Sequence, residues 1–337
     1  MPRNDALFAA ILAHPCEDTP RLAYADWLDE NGDPDRARFI RLQYEIEKLP
    51  PIGPTASKAK KAADALLQKH ETEWSGELKG LVRSLGFRRG FVERVGVTAD
   101  QFLAHGGRLF ELAPVREVRF DPIRGRVAAL AAAPHFGRAE ALGFDQHISD
   151  QPHDRGHLDA LLAAPALATV RRLDFRMSCL GGDDLTRVAR CPYLGSVVHL
   201  DLSFNPFDAA GLRALAHSDR QPALTSLALW GGSWHGLDGV RELVDSPLAD
   251  RLEHLVIAWQ RFGDGGVKIL TGAPRLKRLR TLDLSDNDIT DTGAAALAAA
   301  PQLAGLERLT LRGHRKTLGK DGRERLRKRF GKDACVF

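Results

Sequence analysis

The chain has 337 residues, of which 44% are apolar and 27% are charged, as is usual for a folded protein with a sizeable core. Its 31 glycines and 18 prolines are too few for a low-complexity or fibrous chain. The net charge of +4 is concentrated near the end, because residues 306–337 hold eleven Lys or Arg and only four Asp or Glu. The rest of the chain has no basic excess, so we do not expect nucleic acid to be its partner.

The cysteine pattern and the absence of long apolar runs both bear on the compartment. Cys16, Cys179, Cys191 and Cys335 form no C-x-x-C pair, which favours free thiols over a disulfide framework. No apolar run approaches the roughly 18 residues of a membrane-spanning helix. The apolar stretch 6–13 lacks a small-residue cleavage site, so we expect a cytoplasmic protein without an export signal.

Residues 1–50 are predicted to form a small all-helical domain. Helices are expected over 7–13, 19–30 and 36–49, with the turn residues 31–34 separating the last two. Apolar residues at helical spacing predict the core of this domain, and a peptide-binding groove among them is the functional alternative. These residues are Leu22, Tyr24, Trp27, Leu28, Phe39, Ile40 and Leu42.

The acidic segment 29–35 places oxygen ligands at alternate positions, as the start of a calcium loop does. Pro34 stands where such a loop needs Gly, and Ile40 stands where it needs Glu. We therefore expect the segment to end one helix and cap the next without binding calcium.

The dominant signal further along the chain is a repeat of the pattern apolar-x-x-apolar-x-apolar. Alternation such as that in residues 282–284 predicts a short strand, and Ala-rich stretches such as 211–216 and 293–300 predict helices between strands. The middle apolar residues are mostly 27 or 28 positions apart, with earlier steps of 23, 24 and 31. They are Val95, Val118, Leu142, Leu173, Leu200, Leu227, Leu255, Leu282 and Leu309.

A strand and a helix every 27 residues resemble the plan of leucine-rich repeats, and the Ala-rich helices are similar to those of the ribonuclease-inhibitor subclass. The predicted fold class is α/β: a leucine-rich-repeat solenoid with parallel strands on the concave face and helices on the convex face, after the all-helical N-terminal domain. Asn205 and Asn287 stand where an amide can satisfy turn backbone between coils. The other units carry Ser178, Gly232, Gln260 and His314 at this position. The ladder of asparagines along the repeats is therefore predicted to be incomplete, with some irregular turns.

The N-terminal segments 21–34 (RLAYADWLDENGDP) and 38–43 (RFIRLQ) closely resemble the repeat-companion domain of bacterial leucine-rich-repeat proteins. Residues 87–94 (FRRGFVER) resemble the segment with which such proteins enter their repeats. The resemblance implies a bacterial protein whose repeats bind a partner, and it implies no catalytic residues.

The motifs together divide the chain into four predicted parts. A helical companion domain is followed by a proline-rich linker and a helix over 57–74, then by about nine repeats and a basic C-terminal cap. Their predicted bounds are 1–50, 51–86, 87–312 and 313–337.

Three histidines could form a metal site, but we do not expect one there. His153 and His157 lie four residues apart, with His147 nearby, and could face one ion if their segment were helical. Pro152 and Gly156 argue against a helix there, so a polar loop is predicted, with no metal and no cofactor.

The outward side chains of neighbouring strands are predicted to form one surface, because parallel strands lie about 4.8 Å apart. Aromatic residues fall just after three neighbouring strands and are rimmed by Arg, Asp and His, as in a protein–protein interface. The alternative is that some of these rings fold over the coil edge and pack as core. The candidate partner-binding residues are Arg172, Asp174, Arg176, His199, Asp201, Phe204, Trp230, Trp234, His254, Trp259 and Asp283.

We predict a non-enzymatic, monomeric interaction module that binds an unidentified protein or peptide on the concave face. One alternative is a GTPase-activator-like, hydrolase or other enzyme-regulating role. The sequence contains no recognisable nucleophile–base pair or phosphate-binding loop for it. That role would use Arg172, Asp174, Arg176, His199 and Asp201.

The basic tail offers the other alternative, contact with nucleic acid or another anion. Residues 320–330 predict a basic helix, and 334–337 could add a final strand. We favour a structural role, because the last repeat of a solenoid needs a covering element with a polar outer face.

Overall fold

The computed structural model has an α/β architecture in which short strands alternate with helices, as the predicted fold class requires. The chain divides into two compact units. The first comprises Met1–Asp121 and Ala133–Ala139, and the second comprises Pro122–Ala132 and Glu140–Phe337. The structure describes residues 4–49, 54–121, 123, 125–144, 156–232, 237–314 and 317–337.

The first unit contains the helices predicted before residue 76, with small shifts at their ends. Its elements are α1 (Asp5–Ala13), α2 (Thr19–Glu30), α3 (Pro34–Lys48), α4 (Pro54–Ser75), α5 (Leu78–Leu81), β1 (Ser84–Arg88), β2 (Phe91–Val97), α6 (Ala99–Leu112) and β3 (Glu117–Phe120). Strand β2 pairs antiparallel with β1 and parallel with β3, so the weakest predicted repeat unit does form a strand.

The turn between α2 and α3 behaves as the acidic segment predicts. The Asp33 carboxylate accepts a hydrogen bond from the Arg36 N–H at 3.1 Å, which caps α3, and Pro34 occupies its first turn. Helix α2 ends at Glu30. Across the described ranges, no three His, Cys, Asp or Glu side chains are grouped to hold a metal ion.

The predicted core of the N-terminal helices is confirmed except at one residue. Tyr24, Leu28, Phe39 and Ile40 are buried, and Trp27 and Leu42 pack against this core while partly buried. Leu22 is 39% exposed, so its assignment to the core was wrong. The buried face of α2 runs through residues 21, 24, 25 and 28, and the side chain of Arg21 occupies the position that an apolar residue would usually take.

The second unit is a regular succession of strand and helix. Its elements are α7 (Val127–Ala131), β4 (Ala141–Phe144), α8 (Gly156–Leu162), β5 (Arg172–Asp174), α9 (Gly182–Arg190), β6 (His199–Asp201), α10 (Ala209–Ala216), β7 (Ser226–Ala228), α11 (Leu237–Val244), β8 (His254–Val256), α12 (Gly263–Gly272), β9 (Thr281–Asp283), α13 (Asp291–Ala299), β10 (Arg308–Thr310), α14 (Lys320–Phe330) and β11 (Cys335–Val336). Of the three histidines considered for a metal, His147 and His153 lie outside the described residues, and His157 lies in the first turn of α8.

Consecutive strands from β4 to β11 pair in parallel and in chain order. The middle leucines of the triplets stand in register, as Leu200 does with Leu227, and each is almost fully buried. Full burial of such a side chain contributes about 1.5–3 kcal/mol, so this column of leucines is a main source of stability. The strands form one layer. The helices from α9 to α14 form a second layer, in which each helix packs on the next.

A ladder of buried polar side chains joins the turns that follow the strands. The Asn287 amide donates to the carbonyl oxygens of Ile257 (2.6 Å) and Leu284 (3.1 Å), and its oxygen accepts from the Gln260 N–H at 2.8 Å. Asn205 makes a corresponding set of bonds three units earlier. This is the role that the sequence predicts for the two asparagines.

The ladder continues where no asparagine is present, so the predicted interruption is wrong at Gln260 and His314. The Gln260 amide donates to the Gly231 carbonyl at 2.7 Å. The His314 Nδ1 accepts from the Ile289 N–H at 3.1 Å, and its Nε2 lies 2.9 Å from the Leu284 carbonyl. Both side chains are long enough to reach the backbone groups that an asparagine would satisfy.

We expect Asn287→Ala to lower the free energy of unfolding by about 3 kcal/mol, because it leaves the buried Ile257 carbonyl and Gln260 N–H of the preceding unit without the partner that Asn287 provides. Urea denaturation followed by circular dichroism measures this loss. Asn31→Ala is the control, since the exposed Asn31 amide makes one hydrogen bond, to the Trp27 carbonyl at the end of α2. A loss below about 1 kcal/mol for Asn287→Ala would show that the ladder contributes little.

The basic tail forms the predicted helix and strand. Leu326 of α14 is buried, and the Arg323 and Arg327 guanidinium groups lie 5.7 and 5.1 Å from the Phe337 ring centroid. The Gly319 N–H donates to the Asp291 carboxylate at 2.7 Å, which connects the start of α14 to α13. The tail is thus packed on its own unit through both apolar and charged contacts.

All four cysteines are free thiols. Burial raises the pKa of Cys191 and of Cys335 because it disfavours the thiolate. In the part of the chain that the structure describes, no helix combines the length and the apolar character needed to cross a bilayer.

Candidate interaction surface on the strand face

The outward side chains of β5 to β10 stand in two rows across the strands, which we call the strand face. Parallel pairing in register produces the rows, since every second residue of a strand points to the same side. The first row is Arg172, His199, Ser226, His254, Thr281 and Arg308. The second row is Asp174, Asp201, Ala228, Val256, Asp283 and Thr310.

The two aspartates of the first strands on this face share an arginine. The Arg176 Nη2 lies 3.0 Å from an Asp174 oxygen and 3.4 Å from an Asp201 oxygen. Each carboxylate also accepts a backbone hydrogen bond from two residues ahead, Asp174 from Arg176 at 3.0 Å and Asp201 from Ser203 at 2.9 Å. Arg176, one of the two arginines that an enzyme-regulating role would use, is therefore already paired within its own surface.

Each histidine of the strand face contacts a hydroxyl on the next strand. The His199 Nδ1 lies 2.7 Å from the Ser226 Oγ, and the His254 Nδ1 lies 2.9 Å from the Thr281 Oγ1. Burial lowers the pKa of His199, although Asp201 and Asp174 oppose this effect. This shift favours the neutral imidazole of His199, and the two pairs act as polar cross-links between strands.

Asp283 repeats the local arrangement of the other aspartates further along the row. Its carboxylate accepts from the Ser285 N–H at 2.9 Å and from the Ser285 hydroxyl at 2.6 Å. The Ser285 hydroxyl in turn accepts from the Arg312 N–H at 3.2 Å. Asp283 is thus partly occupied in holding the turn, as are Asp174 and Asp201.

Three aromatic side chains meet where β6, β7 and β8 end, and we call Phe204, Trp230 and Trp259 the aromatic cluster. The ring centroids of Phe204 and Trp230 are 6.1 Å apart, and those of Phe204 and Trp259 are 6.2 Å apart. The three side chains are 37%, 43% and 57% exposed. The alternative that these rings pack as core is therefore wrong for all three, whereas Trp234 lies outside the described residues.

The backbone beneath the cluster explains how the rings reach one another. Phe204 and Trp259 both have a left-handed φ of 58°, and Gly231 occupies the same turn position in the unit between them with a φ of 64°. A Cβ on Gly231 would lie 2.9 Å from a Phe204 ring carbon and 3.1 Å from a Trp259 ring carbon. The glycine therefore provides the space in which the two rings meet.

The left-handed backbone of Phe204 and Trp259 destabilises the fold, and the turn does not require an aromatic residue at this position. A non-glycine residue in this conformation is disfavoured by about 1–2 kcal/mol. Gly231 and Gly313 show that the turn position accepts glycine, yet Phe204 and Trp259 occupy it in two units.

One exposed apolar residue beside the cluster was missed by the sequence analysis. Met177 is 51% exposed and has a φ of 57°, at the turn position that precedes Phe204 by one unit. Its position 27 residues before Phe204 is the signal that could have placed it in the same row. Met177 extends the apolar side of the surface toward Arg176.

A family model described as Leucine Rich repeat matches residues 196–216 and 277–298. These ranges each contain one strand and the helix that follows it. The chain contains leucine-rich repeats. No curated protein matches the chain.

Several solved structures resemble the chain at low sequence identity. An internalin of Listeria monocytogenes is 17% identical, with a TM-score of 0.36 over 66% of this chain and 68% of that chain. A protein of Bacteroides fragilis is 15% identical, with a TM-score of 0.45 over 84% and 85%. A structure of the yeast Rad7 and Elc1 complex matches at 12% identity and a TM-score of 0.43 over 100% and 95%.

Proposed function

We propose that this chain is a non-enzymatic interaction module that binds a protein or peptide on its strand face, with the aromatic cluster at the centre of the contact. The contact of Phe204 with both Trp230 and Trp259 in solvent-exposed positions is the observation that carries the proposal. Exposed aromatic groups of this kind are typical of binding sites, because an aromatic side chain in water does not contribute the free energy that its burial would provide.

Charged and polar groups supply the rim that such an interface needs. Asp174 and Asp201, which share Arg176, lie on β5 and β6, and His254 and Asp283 lie on β8 and β9. A rim of this type orients a partner and excludes water from the central contacts, while the aromatic centre supplies most of the affinity. We infer a partner with an apolar surface flanked by groups of both charges.

The left-handed backbone of Phe204 and Trp259 supports the same interpretation. Residues held in this conformation persist at binding sites at the expense of stability. The fold accepts glycine at this turn position, so the two aromatic residues serve something other than the turn.

The other parts of the chain are assigned supporting roles in this proposal. We infer that α14 and β11 form the basic cap of the last repeat, because Leu326 is buried and the Phe337 ring lies against Arg327 of α14. The resemblance of segments 21–34 and 38–43 supports a bacterial companion domain at the N-terminus, and the four free thiols support a cytoplasmic setting. We propose that the protein acts as a monomer and without a cofactor.

The double variant Trp230→Ala and Trp259→Gly tests the proposal. We expect it to weaken binding to the partner at least about 100-fold, because each tryptophan anchor contributes on the order of 2 kcal/mol or more. The partner is first captured from a lysate of the native host with the intact chain, and its Kd for both chains is then measured by calorimetry.

Stability and a matched control separate lost contacts from lost folding. Glycine at position 259 relieves the left-handed strain, so we expect the free energy of unfolding to change by less than about 1 kcal/mol. Leu103→Ala is the control, because it removes an apolar side chain that is 38% exposed in the first unit. Equal affinity of the double variant and the intact chain would reject the aromatic cluster as the binding centre.

A further inference from the structure

A cleft of about 310 Å³ opens within the first unit. Its apolar wall contains Phe8, Tyr24, Leu28 and Phe91 among other residues. This volume is at the lower end of the range for small-molecule sites, which are typically mostly apolar with a few polar groups that fix the ligand. The cleft is therefore large enough for a compact metabolite.

Three residues that line this cleft each hold a buried polar atom without a hydrogen-bond partner. These atoms are the Oδ2 of Asp33, the Nη1 of Arg36 and the indole Nε1 of Trp74. An unpaired polar atom in the interior is costly, so native proteins seldom leave several in one place without a ligand or water to satisfy them.

The surroundings of Arg36 indicate what kind of group could hydrogen-bond to its guanidinium. Arg36 is 7% exposed, and its guanidinium lies 4.5 Å from the Trp74 ring centroid and 5.5 Å from that of Phe91. The rings cover the faces of the guanidinium but cannot accept its N–H groups. Burial lowers the pKa of Arg36 to about 10, although Asp33 and Glu73 oppose this effect.

The three atoms differ in what they ask of a ligand. The Arg36 and Trp74 N–H groups need acceptor oxygens, for which a carboxylate is the best match. The Asp33 Oδ2 needs a donor, and its Oδ1 is already engaged in capping α3. Because Asp33, Glu73 and Glu77 all line the cleft, a ligand with net negative charge would be repelled, whereas one that also carries an ammonium group would not.

We propose that this cleft binds a small zwitterion, an α-amino acid with an apolar or aromatic side chain. Its carboxylate accepts from Arg36 and Trp74, its ammonium donates to Asp33, and its side chain packs on the apolar wall. The first unit thus has a ligand site of its own, independent of partner binding on the strand face.

Calorimetric titration of the full chain with three matched compounds tests the charge requirement. L-phenylalanine carries both groups, 3-phenylpropionate lacks the ammonium, and phenethylamine lacks the carboxylate. We expect L-phenylalanine to bind saturably with a Kd below about 1 mM, and each analogue to bind at least about tenfold more weakly, as loss of one charged hydrogen bond predicts.

Two conservative variants test the residues. Trp74→Phe keeps an aromatic ring but removes the N–H, and Asp33→Asn keeps a capping oxygen but removes the charge. We expect each variant to weaken L-phenylalanine binding at least about tenfold. Arg41→Lys is the control and should leave binding unchanged, because Arg41 of α3 pairs with Asp26 and Asp29 on the surface. Circular dichroism and thermal melting confirm that each variant is folded.

Three results would overturn the proposal. The first is no saturable binding of L-phenylalanine, which would assign the cleft to water alone. The second is equal binding of the three matched compounds, and the third is undiminished binding to both folded variants. Failure of partner binding at the strand face would leave these measurements unaffected, since they use residues of the first unit alone.

Discussion

Glu93→Gln is expected to lower the free energy of unfolding by about 3–5 kcal/mol, because it removes the negative charge from a buried ionic cluster. The Glu93 carboxylate lies 2.8 Å from the guanidinium groups of both Arg21 and Arg89 and 3.7 Å from that of Arg116. Arg21 is fully buried, and Arg89 and Glu93 are nearly so. Without the carboxylate, three guanidinium charges would face one another in a region of low dielectric constant.

The Arg89 side chain shows why this cluster also organises the start of the chain. It donates to the carbonyl oxygens of Pro15 and Cys16, at 2.9 and 3.0 Å, which lie between α1 and α2. Arg21 donates to the same Pro15 carbonyl at 2.8 Å. The Glu93→Gln variant is therefore expected to loosen the α1–α2 connection as well as β2.

Urea denaturation monitored at two wavelengths and amide hydrogen exchange of α1 and α2 check this prediction. Glu111→Gln is the control, because Glu111 pairs with Arg108 on the surface, where such pairs contribute at most about 1 kcal/mol. A loss for Glu93→Gln as small as that of the control would contradict the assignment of Glu93 as the centre of the cluster.

Gly232→Asn is expected to destabilise the second unit by about 2 kcal/mol or more, although asparagine is the residue that the repeat pattern prefers there. Gly232 has a φ of +103°, a conformation that side chains rarely adopt. A Cβ at this position would lie 2.5 Å from the Asn205 carbonyl oxygen, which is backbone and cannot rotate away. The new amide therefore cannot enter the ladder as Asn205 and Asn287 do.

Thermal melting with the matched variant Gly195→Asn checks this second prediction. Gly195 has no unusual φ, and a Cβ there would have a single neighbour, at 3.9 Å. We expect its melting temperature to stay close to that of the intact chain. A rise in melting temperature for Gly232→Asn would mean that the turn can rearrange and that the ladder tolerates asparagine in every unit.

Much of the fold could be predicted from local patterns in the sequence. Alternating apolar residues specify a strand, and apolar residues at helical spacing specify a helix, so the helices before residue 76 and the strands centred on the triplets were predictable. The end of α2 at Glu30 and the cap of α3 by Asp33 were predictable too, since both depend on a few neighbouring residues.

The strand face was predictable in outline but not in its contacts. Alternation alone places Arg172, Asp174, His199 and Asp201 on one side of the strands. It says nothing of the sharing of Arg176 by two aspartates, which depends on the length of its side chain and on the register of β5 with β6.

The sequence by itself determined the repeat, the alternation of strand and helix and the row of turn positions in which aromatic residues recur, because each of these follows from residues close together in the chain. Only the tertiary structure decided that Gly231 leaves room for Phe204 and Trp259 to meet, that Gln260 and His314 continue the asparagine ladder, and that Glu93 lies buried among arginines. These features join residues from different coils or distant segments, and their energies depend on distances of a few tenths of an ångström that no local pattern encodes.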